Sequence, residues 1–358
     1  MYIYIHIPFC SNICSYCDFP KILYDKKYIN SYLNTLREEI LSRYKNEEVL
    51  SIYIGGGTPT SLDLDELESL LQITNIFNKS TDIEFTIESN IDGLSIEKIK
   101  LLKKYQVNRI SLGVQSFHEN TLRELNRCHT KRDVFKVIRW LKDNKFSNIS
   151  IDYIYGIHPD IEEVKEDIEL FLKLDIPHIS CYSLIIEENT MFYIHNRDYI
   201  EEDIEEKMYH EIESILEDNG YIHYELSNYA KEGYFSKHNI NYWNNLEYYG
   251  FGMGSVSYLN HYRIINTKNL TKYLEGNYIN NEEYENKELE ISNTFMLGFR
   301  KIKGINIREF KDRYGIDIFS IEVINRLLKE KKLVLEGEQL FIHPDYIYLS
   351  NEIIREFI

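Results

Sequence analysis

The chain has 358 residues, 43% hydrophobic and 28% charged, with a formal net charge of −17. That length suits a barrel of roughly 200 to 280 residues plus a smaller appendage, and no run of about 18 apolar residues is present to cross a bilayer. The acidic balance opposes phosphate backbones, so nucleic acid is not an expected partner.

The N-terminus, MYIYIHIPFC, has neither a basic segment followed by a long apolar stretch nor an Arg-rich amphipathic pattern. A cytoplasmic protein with at most peripheral membrane contact is expected. From there, short β-rich runs alternate with helical patterns. Strands are predicted at Tyr2 to Ile7, Ser51 to Ile54, Ile83 to Ile87, Arg109 to Leu112, Ile149 to Ile154 and His178 to Tyr182. Between them, apolar residues recur at helical spacing: Leu33, Leu36 and Ile40; Leu64, Leu67 and Leu71; Val134, Val137 and Leu141; Val164, Ile168 and Phe171. Six βα units mean a parallel sheet with helical crossovers, either an open doubly wound sheet or a full or partial barrel.

After about residue 220 the chain turns to Tyr-, Asn- and Gly-rich segments read as loops, and helical periodicity resumes near Glu288. Helices near Glu290 to Lys301 and Ile318 to Lys329, then two short strands around Glu336-Gly337, suggest a winged-helix-like unit. The expected division is 1–220 for the barrel, 221–287 for an extension and 288–358 for the small C-terminal domain.

Five cysteines are an odd number, and Cys10, Cys14 and Cys17 fall within eight residues. That pattern suits a metal site in a reducing compartment better than a disulfide framework. Cys128 and Cys181 are expected to be buried core thiols. Three thiolates leave one iron of a [4Fe-4S] cubane open to a small molecule; a zinc site would need a fourth ligand, for which His6 is the nearest candidate. Further unusual residues follow the other strands: Gly55-Gly56-Gly57-Thr58-Pro59 the second, Glu88 the third and Gln115 the fourth, with Asp152 near the end of the fifth. In βα barrels that end carries the active site.

Cys-x3-Cys-x-aromatic-Cys after a short strand resembles the radical S-adenosylmethionine (SAM) signature, and GGGTP resembles that superfamily's SAM-binding glycine element. The runs YIHIPFC, YCDF, GGGTPT, SLGVQSF, YIYG, YELSNYA and HNINYW together resemble the oxygen-independent coproporphyrinogen III oxidase family, most closely its haem-chaperone branch. The resemblance implies a partial (βα)6 radical SAM barrel and a [4Fe-4S] cluster on Cys10, Cys14 and Cys17. It also implies a SAM site formed by Tyr4, Tyr16, Gly56, Gly57, Thr58, Glu88, Gln115, Arg127 and Asp152. His238, in the HNxxYW element, is the implied haem contact, because imidazole ligates haem iron. His6, His129 and His178 are read as structural.

Family oxidases carry a further cysteine two positions after the third ligand, where this chain has Phe19. That departure turns the reading from porphyrinogen decarboxylation to haem carriage, with haem as cargo, client haemoproteins and an electron donor as partners, and a homodimer as an allowed assembly. The alternative is a radical enzyme of the same family, a haem-modifying protein, methyltransferase or oxidase that generates a 5′-deoxyadenosyl radical. Two further departures, Gly156-Ile157-His158-Pro159-Asp160 and Ser255-Val256, fall where the family has other residues and bear on the substrate pocket.

Overall fold

The computed structural model describes residues 1–358. The first strand, Tyr2–Ile7, shows how the barrel is built: Ile3, Ile5 and Ile7 are fully buried in the core, while Tyr2, Tyr4 and His6 take the opposite face, as the two-residue period of a strand requires. Five more parallel strands follow: Glu48–Gly56, Asn78–Asn90, Arg109–Gln115, Asn148–Tyr155 and His178–Ser183. Together with Tyr2–Ile7 they contain all six predicted strands. Helices Lys26–Arg43, Leu64–Ile73, Ile96–Lys104, Lys131–Asp143 and Ile161–Leu174 lie between them. Their predicted stripes are buried, apart from Leu64, which stands exposed in the first turn of its helix.

The sheet extends to nine strands. Tyr249–Phe251 adds a seventh parallel strand beside Tyr2–Ile7, and Asn228–Ala230 and Ile222–Glu225 continue the other edge in antiparallel fashion. Glu39, fully buried on the first helix, accepts hydrogen bonds from the Gly252 amide (2.9 Å), Asn266 (2.6 Å) and Tyr273 (2.7 Å) and pairs with Arg43. These bonds tie residues 249–273 to the start of the barrel. A small antiparallel sheet (Val256–Leu259, Tyr262–Asn266, Ile279–Tyr284) follows. The C-terminal region then combines helices Lys287–Gly298, Ile307–Tyr314, Glu322–Lys329 and Ser350–Arg355 with a second three-stranded sheet of Ile305–Asn306, Leu333–Glu336 and Gln339–Ile342. No helix is long and apolar enough to cross a membrane.

The HNINYW element, expected to be a loop, is a helix, Lys237–Trp243. Its Asn content lowers helix propensity, but its N-terminus is well satisfied. The Ser236 side chain accepts from the Asn239 amide, and the Glu84 carboxylate, from the third strand, accepts from the amides of Lys237 and His238 at 3.0 Å each. A carboxylate there also meets the positive end of the helix dipole.

Candidate functional site

A cavity of about 480 Å³ opens at the C-terminal ends of the parallel strands. Its lining brings together Cys10, Cys14, Tyr16, Cys17, Gly56, Gly57, Thr58, Glu88, Gln115, Arg127 and Asp152, from five strands and the segments that follow them. A volume of several hundred Å³ is the size of small-molecule and cofactor sites.

The cysteine segment is irregular yet tied down. Asn12 donates to the Asn126 carbonyl at 2.6 Å, Asn126 donates to the Ile13 carbonyl at 2.7 Å, and the Tyr24 amide donates to the Cys10 carbonyl at 2.8 Å. The glycine turn packs directly on it. A Cβ on Gly57 would lie 2.7 Å from the Pro8 carbonyl carbon and 2.9 Å from Cys10 Sγ, and Gly56 sits at φ 113° against the His6 ring. Only glycine meets both demands. The amides of Gly56, Gly57 and Thr58 are taken up by Glu88, Ile7 and Phe9, which leaves carbonyl oxygens as the groups of this turn suited to an amine donor.

A chain of polar contacts crosses the cavity from the glycine turn to the cysteines. Thr58 Oγ1 is 3.9 Å from Cys10 Sγ and accepts from Asn90 at 3.1 Å; Asn90 accepts from Arg127, whose other terminal nitrogen donates to the Tyr16 hydroxyl at 2.7 Å. Arg127 is therefore fixed over the cavity instead of capping a helix. Gln115 is held at φ 69°, a left-handed geometry that is uncommon for a non-glycine residue. Glu88 accepts from Tyr53 at 2.8 Å and from the Gly56 amide at 3.1 Å, yet burial, reinforced by the nearby Asp152 carboxylate, pushes its carboxyl up to about 7. Burial raises Asp152 as well.

Three thiols suit a cluster that keeps one iron open, whereas a zinc site needs a fourth ligand. His6 is not a spare fourth ligand. It is buried, and its ring nitrogens meet the Tyr4 hydroxyl at 3.0 Å and the Pro20 carbonyl at 2.7 Å. Without metal, burial pushes the Cys10 thiol up to about 11.

Two expected site residues do not line this cavity. Tyr4 packs against Tyr53, which does, with ring centroids 6.2 Å apart. His238 is 1% exposed; its Nδ1 meets the Ser51 hydroxyl at 2.7 Å, its Nε2 meets the Tyr242 hydroxyl at 2.9 Å, and its ring stacks on Tyr53. Both nitrogens are engaged, so the ligand role expected for His238 has no open lone pair here. His238→Ala would leave two buried hydroxyls unpaired. A loss of about 2 to 4 kcal/mol in denaturant unfolding is expected, with no movement of the Soret band of added haem.

Cys128, expected in the core, is exposed beside Asn12, whereas Cys181 is buried as expected. His129 and His178 are buried and bonded to the Val114 carbonyl and to Ser150 and Tyr224, as structural histidines should be. The two sequence departures miss the cavity. Asp160 caps helix Ile161–Leu174, and Ser255 donates to the Gly252 carbonyl. Sequence reading overlooked Tyr53 and Asn90, although each shares a strand face with a recognised residue two positions away. It also missed the apolar rim of Tyr182, Leu184 and Ile185, which lies at and just beyond the end of the sixth strand without any motif.

A profile of the Radical SAM superfamily matches residues 4–171. The heme chaperone HemW of Lactococcus lactis subsp. lactis is 39% identical, covering 99% of this chain and 96% of that protein. The HemW of Bacillus subtilis is 35% identical, covering 99% and 98%, and that of Escherichia coli is 31% identical, covering 86% and 84%. The structure of coproporphyrinogen III oxidase HemN from Escherichia coli shares the fold, with a TM-score of 0.87 over 99% of this chain and 89% of that one, at 19% identity. With similarity above 30% identity along nearly its whole length, the chain belongs to the HemW family of the radical SAM superfamily.

Proposed function

We propose that this protein is a haem chaperone that holds a [4Fe-4S] cluster on Cys10, Cys14 and Cys17 and SAM in the adjoining cavity, and carries haem to client haemoproteins. The observation that carries the reading is the convergence of three free thiols, a glycine turn, Arg127 and two raised carboxyls on one cavity. When bound, the cluster supplies an open iron for the amino and carboxylate groups of SAM. The carbonyls of residues 56–58 suit the amine, and the fixed guanidinium of Arg127 suits a carboxylate. Glu88 and Asp152 accept from hydroxyl or cationic groups. The name borne by the relatives, heme chaperone HemW, supports haem as the cargo.

Anaerobic reconstitution followed by haem titration tests this. A Soret band should develop while the extracted macrocycle stays intact in the presence of SAM and reductant; ring-opened or methylated haem would replace the carrier reading with the enzyme one. Phe19, 62% exposed at the cavity, stands where the oxidases carry their extra cysteine. Coproporphyrinogen III should therefore remain unconverted under the same conditions, and protoporphyrinogen formation detected by chromatography would refute that expectation.

A further inference from the structure

A second group of ligand-type side chains lies outside the cavity, where the segment after the fourth strand meets the first turns of helix Ile161–Leu174. His118, Glu163 and Asp167 each present one donor atom, all within 4.8 Å of one another. His118 Nε2 is 3.4 Å from Asp167 Oδ1 and 3.7 Å from Glu166 Oε2. It is shielded from solvent and has no hydrogen-bond partner.

The separations distinguish two arrangements. A charge-assisted imidazole–carboxylate hydrogen bond draws its atoms to about 2.7 to 2.9 Å. Two donors sharing a divalent ion through bonds of about 2.1 Å stand about 3 to 3.5 Å apart. The observed 3.4 Å, with Nε2 unbonded, fits the second. The carboxylates are also oriented from behind, as metal ligands usually are: Asp167 accepts from the Ser116 hydroxyl (2.7 Å) and the Phe117 amide (3.0 Å), and Glu163 accepts from the Thr121 hydroxyl. Asp167 is 1% exposed, so its carboxylate is held away from solvent.

We propose that His118, Glu163 and Asp167 bind a divalent first-row transition ion. One imidazole and two carboxylates suit Mn²⁺, Fe²⁺ or Zn²⁺ better than Ca²⁺ or Mg²⁺, which take oxygen ligands almost alone. The ion would tie the segment after Gln115, a residue held at positive φ in the cavity wall, to the helix carrying Glu163 and Asp167. It is a brace behind the cavity, independent of what the cavity holds.

Mn²⁺ is the probe, since the cysteines are occupied in cluster-loaded protein and free Mn²⁺ is counted directly by electron paramagnetic resonance. One Mn²⁺ per chain should bind to the wild type, and its presence should raise the thermal midpoint. His118→Ala and Glu163→Gln, both at partly exposed positions, should each weaken binding at least tenfold and abolish the midpoint shift, with circular dichroism unchanged. Absence of Mn²⁺ binding to the wild type, or equal affinity in wild type and both variants, would overturn the site.

Discussion

Alanine at Cys10, Cys14 or Cys17 is expected to take reconstituted iron from about four atoms per chain to near zero, as measured by iron and acid-labile sulfide analysis. In the proposed site each thiolate is one of only three protein bonds to the cluster, and neither His6 nor Cys181 is free to take over. His6 is bonded through both ring nitrogens. Cys181 is buried in the core. Cys128 is exposed beside Asn12, so Cys128→Ala is the matched control and should keep its iron. The folded scaffold should survive in every variant, because the residues that shape the cysteine segment, Asn12, Asn126 and Tyr24, remain. Burial raises the Cys10 and Cys17 thiols above their ordinary values, so ligation must displace protons and reconstitution should be more complete at pH 8.5 than at pH 7. Stoichiometric zinc in a colourless, fully folded protein after anaerobic purification would overturn the assignment.

The barrel was legible because each βα unit carries its own periodicity, and the candidate site was legible as a cluster because its residues sit at strand ends next to motifs with fixed spacing. What escaped was set by contacts distant in sequence. The strand Tyr249–Phe251 is three residues long and owes its place to pairing with Tyr2–Ile7. The helix holding His238 depends on Glu84, more than 150 residues earlier. A histidine flanked by aromatics reads the same whether its nitrogens face a cofactor or a serine and a tyrosine, and only the packing against Ser51 and Tyr242 separates the two. Cys128 likewise looked like a core residue because its neighbours in sequence gave no sign that the turn at Asn126, with φ 57°, throws it outward.

Glu88→Gln is expected to stabilise the SAM-free protein at pH 8 and not at pH 5. The wild-type carboxyl, pushed up to about 7 from an ordinary 4.5, holds a proton in the folded state across a range where the unfolded chain has already lost it. Folding stability therefore falls as pH rises from about 4.5 to 7, and the full cost, up to about 3 kcal/mol, is present above pH 7. Glutamine carries no charge to desolvate, but it cannot accept from both Tyr53 and the Gly56 amide, which returns about 1 kcal/mol of the gain. The net expectation is about 2 kcal/mol in favour of the variant at pH 8 and about 1 kcal/mol against it at pH 5, read from urea unfolding at the two values. A difference independent of pH would show that Glu88 is ionised throughout. Under the proposed function the same strain serves binding, because a cationic or hydroxyl-bearing ligand placed against Glu88 relieves the cost of its charge; the stabilised variant should bind SAM more weakly, as happens when an unfavourable group is kept for binding.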